Sequence, residues 1–109
     1  MKSNIQFANE NIKKTLEKLK TKDKKLYELL IRAFNDIEEN VFCGIQIPKK
    51  LIPKEYIEKY ELNNLWKTNL PSYWRMYYTL STTRLEILTV LITFEDHEEY
   101  DKRFKYKKR

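Results

Sequence analysis

The sequence predicts an α+β fold: an N-terminal strand, an antiparallel helical hairpin and a short helix, then a three-stranded antiparallel meander, with the helices packed on one sheet face. Three observations predict it. Apolar residues from Ile12 to Val41 recur at helical spacing. From Leu65 onward the period changes to two. Only short turns separate the alternating runs, so successive strands must pair antiparallel.

Residues 4–8, Asn-Ile-Gln-Phe-Ala, alternate polar and apolar and form the first strand, with Ile5 and Phe7 inward. Asn9 or Asn11 then caps a helix whose Ile12, Leu16 and Leu19 share a face, leaving Lys13, Lys14, Lys18 and Lys20 in water. A tight turn at Thr21-Lys22-Asp23 leads to a second helix capped by Asp23. Its stripe is Leu26, Leu30, Ala33, Phe34, Ile37 and Val41, and it ends between Asn40 and Gly44. So short a turn makes the two helices antiparallel. From Gly44 to Asn63 the pattern loosens into a connector, in which Pro53 opens a short helix through Tyr60.

In the first meander strand Trp66, Thr68 and Leu70 point one way, and Leu65, Lys67 and Asn69 the other. Pro71-Ser72 turns the chain. Next, Trp74, Met76, Tyr78 and Leu80 share one face, and Tyr73, Arg75, Tyr77 and Thr79 the opposite one. After a turn at Ser81 to Arg84, Leu85 to Phe94 is the most apolar and β-branched run, as a central strand requires. The helical stripe needs a sheet face to bury it. The opposite sheet face is expected to be open.

A chain of 109 residues makes one domain, 1–109. Lys and Arg number 22 against 16 Asp and Glu, a net charge of +6 that favours a polyanionic partner. The same excess also serves plain solubility. A lone cysteine, Cys43, cannot staple the fold or build a structural zinc site with one histidine, and its apolar neighbours Val41 and Phe42 predict a buried core thiol. No apolar run approaches the ~20 residues that span a bilayer, and MKSNIQFANE has no secretory pattern. A cytoplasmic protein without membrane attachment is expected.

Strand parity puts Lys67 and Arg75 on one face of adjacent strands, flanked by Tyr73 and Tyr77. The last strand runs out into Phe94-Glu95-Asp96-His97-Glu98-Glu99-Tyr100, which returns toward the same surface. Such a set suits RNA cleavage without a metal or other cofactor. Cations stabilise charge on a pentacovalent phosphorane, a near-neutral group moves protons, and rings stack bases. The acids Glu95, Asp96, Glu98 and Glu99 lack ligand-like spacing. Each group also has an ordinary structural explanation. Arg75 could pair with an acid across the sheet, Lys67 could be a solvated edge charge, His97 could be incidental, and Tyr100 could be a core ring. By themselves the residues define a basic α+β domain with a polar, aromatic sheet face.

Asn64-Leu65-Trp66-Lys67, followed by Leu70-Pro71-Ser72-Tyr73-Trp74-Arg75-Met76-Tyr77-Tyr78, resembles the core motif of the RelE/ParE toxin superfamily. That motif is an aromatic-Lys strand, a short turn, then aromatic-Arg-hydrophobic-hydrophobic-Tyr. The strand Ile87 to Phe94 and the ending Asp96 to Phe104 continue it in the manner of archaeal-type RelE-like members. The resemblance implies a RelE-like fold and the toxin of a type II toxin–antitoxin system, an endoribonuclease that cuts mRNA in the ribosomal A site. It implies three partners: ribosome, mRNA and a cognate antitoxin. By position, Lys67 matches the strand lysine, Arg75 the arginine that stabilises the transition state, and Tyr100 the C-terminal tyrosine that orients substrate. His97 matches the histidine that some members use as acid or base. Tyr73, Tyr77, Arg84, Arg103 and Lys105 complete the expected RNA surface. Two positions depart from the pattern. Asn69 stands where RelE has a second lysine, and the late-strand arginine falls on Phe94 or Glu95. Arg84, Arg103 or the basic tail Lys105 to Arg109 are the candidates to replace it. The resemblance also admits a ParE-like, non-hydrolytic inhibitor of DNA gyrase, or a weakened member that only binds antitoxin.

Overall fold

A computed structural model describes residues 4–71, 74–83 and 86–95. The chain runs β1 (Asn4–Phe7), α1 (Glu10–Lys22), α2 (Lys24–Glu39), β2 (Ile45–Gln46), a 3₁₀ turn (Lys49–Leu51), α3 (Lys54–Tyr60), β3 (Trp66–Asn69), β4 (Arg75–Thr83) and β5 (Glu86–Glu95). The α+β class and the β3-β4-β5 antiparallel meander stand as the alternation requires.

Local chemistry sets the helix ends. The Asn9 side chain accepts a hydrogen bond from the Ile12 N–H at 3.1 Å, and that of Asp23 accepts from Leu26 N–H at 3.1 Å. Each relieves a donor that a first helical turn leaves unpaired. Asp23 closes α1 and opens α2, so no residue is left to let the helices diverge. At the far end of α3, Glu61 takes the left-handed conformation, φ 52° and ψ 38°. A glycine there avoids the Cβ clash. Glu61→Gly is therefore expected to stabilise the protein by up to about 1 kcal/mol, read as a raised urea midpoint with unchanged slope.

Two features extend the sheet beyond the meander. β1 pairs with β5 in parallel, Asn4 opposite Leu88 through Phe7 opposite Leu91, and β2 adds antiparallel to β3, Ile45 opposite Lys67. The five strands lie in the order β1-β5-β4-β3-β2. β4 also continues through Ser81 to Thr83, where a turn was expected. In β5 the register slips between the partners of Tyr77 and Tyr78, which face Thr93 and Leu91. Ile92 is thus an extra residue, and a bulge of this kind bends and twists the ribbon.

The first core lies between the helices and one sheet face. Leu16, Leu26, Leu30, Ala33, Phe34 and Ile37 pack on Leu70, Met76 and Tyr78, with Trp66, Trp74, Leu80, Ile5 and Phe7 at its margin. The alternation in β3 and β4 assigned this face correctly. The opposite face differs from the expectation of an open surface. Ile47, Ile52, Tyr56 and Leu62 form a second core with Leu65 and Tyr77. The connector therefore covers the middle of that face. Its few apolar side chains meet apolar sheet residues that would otherwise remain wet. No helix among the described residues is long and apolar enough to cross a membrane.

Candidate functional site

The register fixes the geometry of the candidate site. Lys67 lies opposite Tyr77, and Asn69 lies opposite Arg75, while Thr68 faces Met76 and Trp66 faces Tyr78. Directly opposed residues share a sheet face. Lys67, Asn69, Arg75 and Tyr77 thus occupy the face turned away from α1 and α2. Lys67 and Arg75 are diagonal neighbours, a placement that sets Cβ atoms about 7 Å apart. Both side chains are only partly buried. An Arg Nη1 donates to the Trp74 carbonyl at 3.2 Å, which holds the guanidinium back along the start of its own strand. In β5 the residue opposite Arg75 is Glu95. Phe94 and Glu95, the two positions on which the resemblance lets a late arginine fall, thus lie opposite Met76 and Arg75.

Tyr77 is fully buried, at 0% exposure, beneath the second core. A ring so enclosed offers no face to a nucleobase, so its expected part in RNA stacking is corrected. The cause is the apolar cover from the connector. Tyr73, Arg84, His97, Tyr100, Arg103 and Lys105 lie outside the described residues. Of the nine expected site residues, the structure brings together Lys67 and Arg75 on accessible surface, and Tyr77 beside them in the interior. Among the described residues no group of three or more His, Cys, Asp or Glu side chains gathers to hold a metal.

Beside the backbone of Lys67 lies a clamp that sequence patterning did not reveal. The Tyr78 ring stacks on Trp66 at 6.2 Å, and its hydroxyl donates to the Val41 carbonyl at 3.1 Å. The same oxygen accepts from the Gly44 N–H at 3.0 Å. A turn after α2 is thereby tied to the centre of the sheet. Gly44 is the single glycine in the chain. A Cβ on it would collide with the Tyr78 hydroxyl oxygen and stand 2.7 Å from the Lys67 carbonyl oxygen. That single glycine was the signal available in the sequence.

Burial pushes the Tyr78 phenol up to about 12, with the nearby Cys43 adding to the effect and the Gly44 hydrogen bond opposing it. The sign follows from linkage. The unfolded phenol ionises near 10, the folded one later, so this contribution to stability is complete below pH ~10 and is lost as pH rises through about 12. Tyr78→Phe should flatten the fall in stability between those pH values relative to the parent chain, measured by urea unfolding at a series of alkaline pH values.

Cys43 also corrects an expectation. It is exposed, not a core thiol. Helix α2 stops at Glu39, and the Asn40 side chain accepts from the Phe42 N–H at 3.1 Å, reversing the chain. Val41 turns inward at 0% exposure, and Phe42 and Cys43 turn out. What burial the thiol has, and after it the Asp36 charge, raise its pKa, which makes it a poor nucleophile.

Comparison of the chain with protein-family models, with curated proteins and with solved structures finds no match in any of the three.

Proposed function

We propose that this chain is a RelE-like endoribonuclease toxin that cuts mRNA on the ribosome and is held in check by a cognate antitoxin in the cytoplasm. The observation that carries the proposal is the shared face and diagonal register of Lys67 and Arg75 on partly open surface. Two cations on diagonal positions of one sheet face suit one phosphodiester, which presents two non-bridging oxygens. The exposed lysines of α1 and α2, Lys13, Lys14, Lys18, Lys20, Lys22, Lys24 and Lys25, add a basic surface suited to a phosphate-rich assembly.

In the proposed reaction the ribose 2′-oxygen attacks the adjacent phosphorus as its proton leaves to a base. The P–O5′ bond breaks, and the departing 5′-oxygen takes a proton. The products are a 2′,3′-cyclic phosphate and a free 5′-hydroxyl. Arg75 stabilises the charge that builds on the phosphorane, as a fixed guanidinium fork does best. Lys67 and His97 share phosphate contact and proton transfer, and Tyr100 positions the base. The roles of His97 and Tyr100 rest on the sequence resemblance alone.

Primer extension on messages undergoing translation tests the reading. Cuts within codons, absent from untranslated copies of the same message, are expected on expression of the chain. Intact transcripts together with blocked DNA supercoiling would replace it with the ParE-like reading.

A further inference from the structure

A second site lies at the other end of β4. A groove of about 820 Å³ opens between β1 and the end of α3, with Gln6, Lys59, Tyr60, Glu61, Asn63 and Ser81 among its lining residues. It lies on the same sheet face as Arg75. Thr79 and Ser81 share strand parity with Arg75, and Gln6 is aligned with Thr79 through Val90. At about 3.3 Å per strand residue, Ser81 is ~20 Å from Arg75.

The wall of this groove is pinned from within. The Asn64 Oδ1 accepts from Leu80 N–H at 2.9 Å, and its Nδ2 donates to the Leu80 carbonyl at 2.9 Å. One amide side chain therefore pairs with both backbone groups of Leu80, as a neighbouring strand would. The Thr79 hydroxyl donates to the Asn64 carbonyl at 2.7 Å. With those groups engaged in structure, the exposed polar side chains are Gln6, Lys59, Glu61, Asn63 and Ser81. Lys59 Nζ lies over the face of the partly buried Tyr60 ring, 5.4 Å from its centre, so a cation and a ring share one wall.

We infer that this groove binds an unpaired nucleotide of the same RNA strand whose scissile phosphate meets Lys67 and Arg75. The inference rests on the proposed function and names a second contact for its substrate. The chemistry is complementary part by part. Lys59 faces a phosphate, and the exposed part of the Tyr60 ring offers apolar surface to a base. The Gln6 amide carries donors and an acceptor, and Asn63, whose Oδ1 accepts from Asn64 Nδ2 at 2.8 Å, offers its amide donors. The Glu61 carboxylate accepts from a base amino group and repels carbonyl oxygens. Bases with an exocyclic amino group are therefore favoured over uracil. At about 820 Å³ the groove falls within the range of small-ligand sites.

Amide NMR of the full chain titrated with CMP and, separately, UMP tests the inference. CMP should shift the amides of Gln6, Ala8 and Lys59 to Asn64, equally in the parent chain and in Arg75→Ala. Glu61→Gly, which relieves the left-handed backbone and should fold at least as well, is expected to lose about tenfold in CMP affinity and to erase the preference over UMP. Absence of shifts in the groove, equal binding of CMP and UMP by the parent chain, or shifts confined to Lys67 to Tyr77 would overturn the inference. Cleavage of translated mRNA with a silent groove removes this inference and leaves the proposed function. Groove binding without cleavage removes the proposed function and, with it, the link to a scissile strand, leaving a nucleotide site alone.

Discussion

Arg75→Ala is expected to slow mRNA cleavage by about 10²- to 10³-fold, the usual loss when one fixed stabiliser of a developing anion is removed. Growth arrest on expression should disappear with it. The fold should survive, because Arg75 is the first residue of β4 and is only partly buried. Its backbone pairing with Asn69 and Glu95 does not depend on the side chain. The stability cost should stay near 1 kcal/mol or below, as for a partly exposed charged side chain. Arg75→Lys should fall between, since an ammonium keeps the charge and loses the planar fork. Circular dichroism and a urea midpoint on the same preparations separate lost chemistry from lost structure.

Gly44→Ala should produce a large loss of stability. The added carbon meets the Tyr78 hydroxyl on one side and the Lys67 carbonyl, a backbone atom, on the other. Overpacking of this kind costs about 1–3 kcal/mol. The Gly44 N–H to Tyr78 hydrogen bond would be stretched as well, adding ~1 kcal/mol. A total of about 2–4 kcal/mol is expected from urea unfolding. Tyr78→Phe removes one of the two obstacles, so Gly44→Ala on that background should cost clearly less than on the parent chain. Because β2 and β3 must move apart to admit the methyl group, cleavage should fall too, through displacement of Lys67 rather than loss of its charge.

The parts of this fold that rest on long, regular repeats were legible in the sequence. Five of the six stripe residues lie in α2 and announced it, while Val41 falls in the turn beyond its end. Alternation through Trp74, Met76, Tyr78 and Leu80 assigned the helix-facing side of the sheet. The same parity placed Lys67 and Arg75 together. The second core left no such trace. Ile47, Ile52, Tyr56 and Leu62 come from a two-residue strand's end, a 3₁₀ turn, a seven-residue helix and a loop, each too short to show a period. Tyr77 was therefore read as open when it is covered. Cys43 was misplaced for a related reason: its neighbours are apolar, but the chain reverses at Asn40 and sends them in opposite directions. The groove could not be read at all, because Gln6 and Ser81 meet only through the parallel pairing of the N-terminal strand with β5. Pairing between segments so far apart leaves no local signature.

The claim that Lys67 and Arg75 act on one phosphate is tested most directly by single-turnover cleavage of ribosome-bound mRNA. The chains to compare are the parent, Lys67→Ala, Arg75→Ala and the double variant. Groups that act as a unit show strongly non-additive losses, so the double variant should be little slower than the slower single variant. Losses that multiply would show two independent sites, and an inert parent chain would contradict the cleavage account itself.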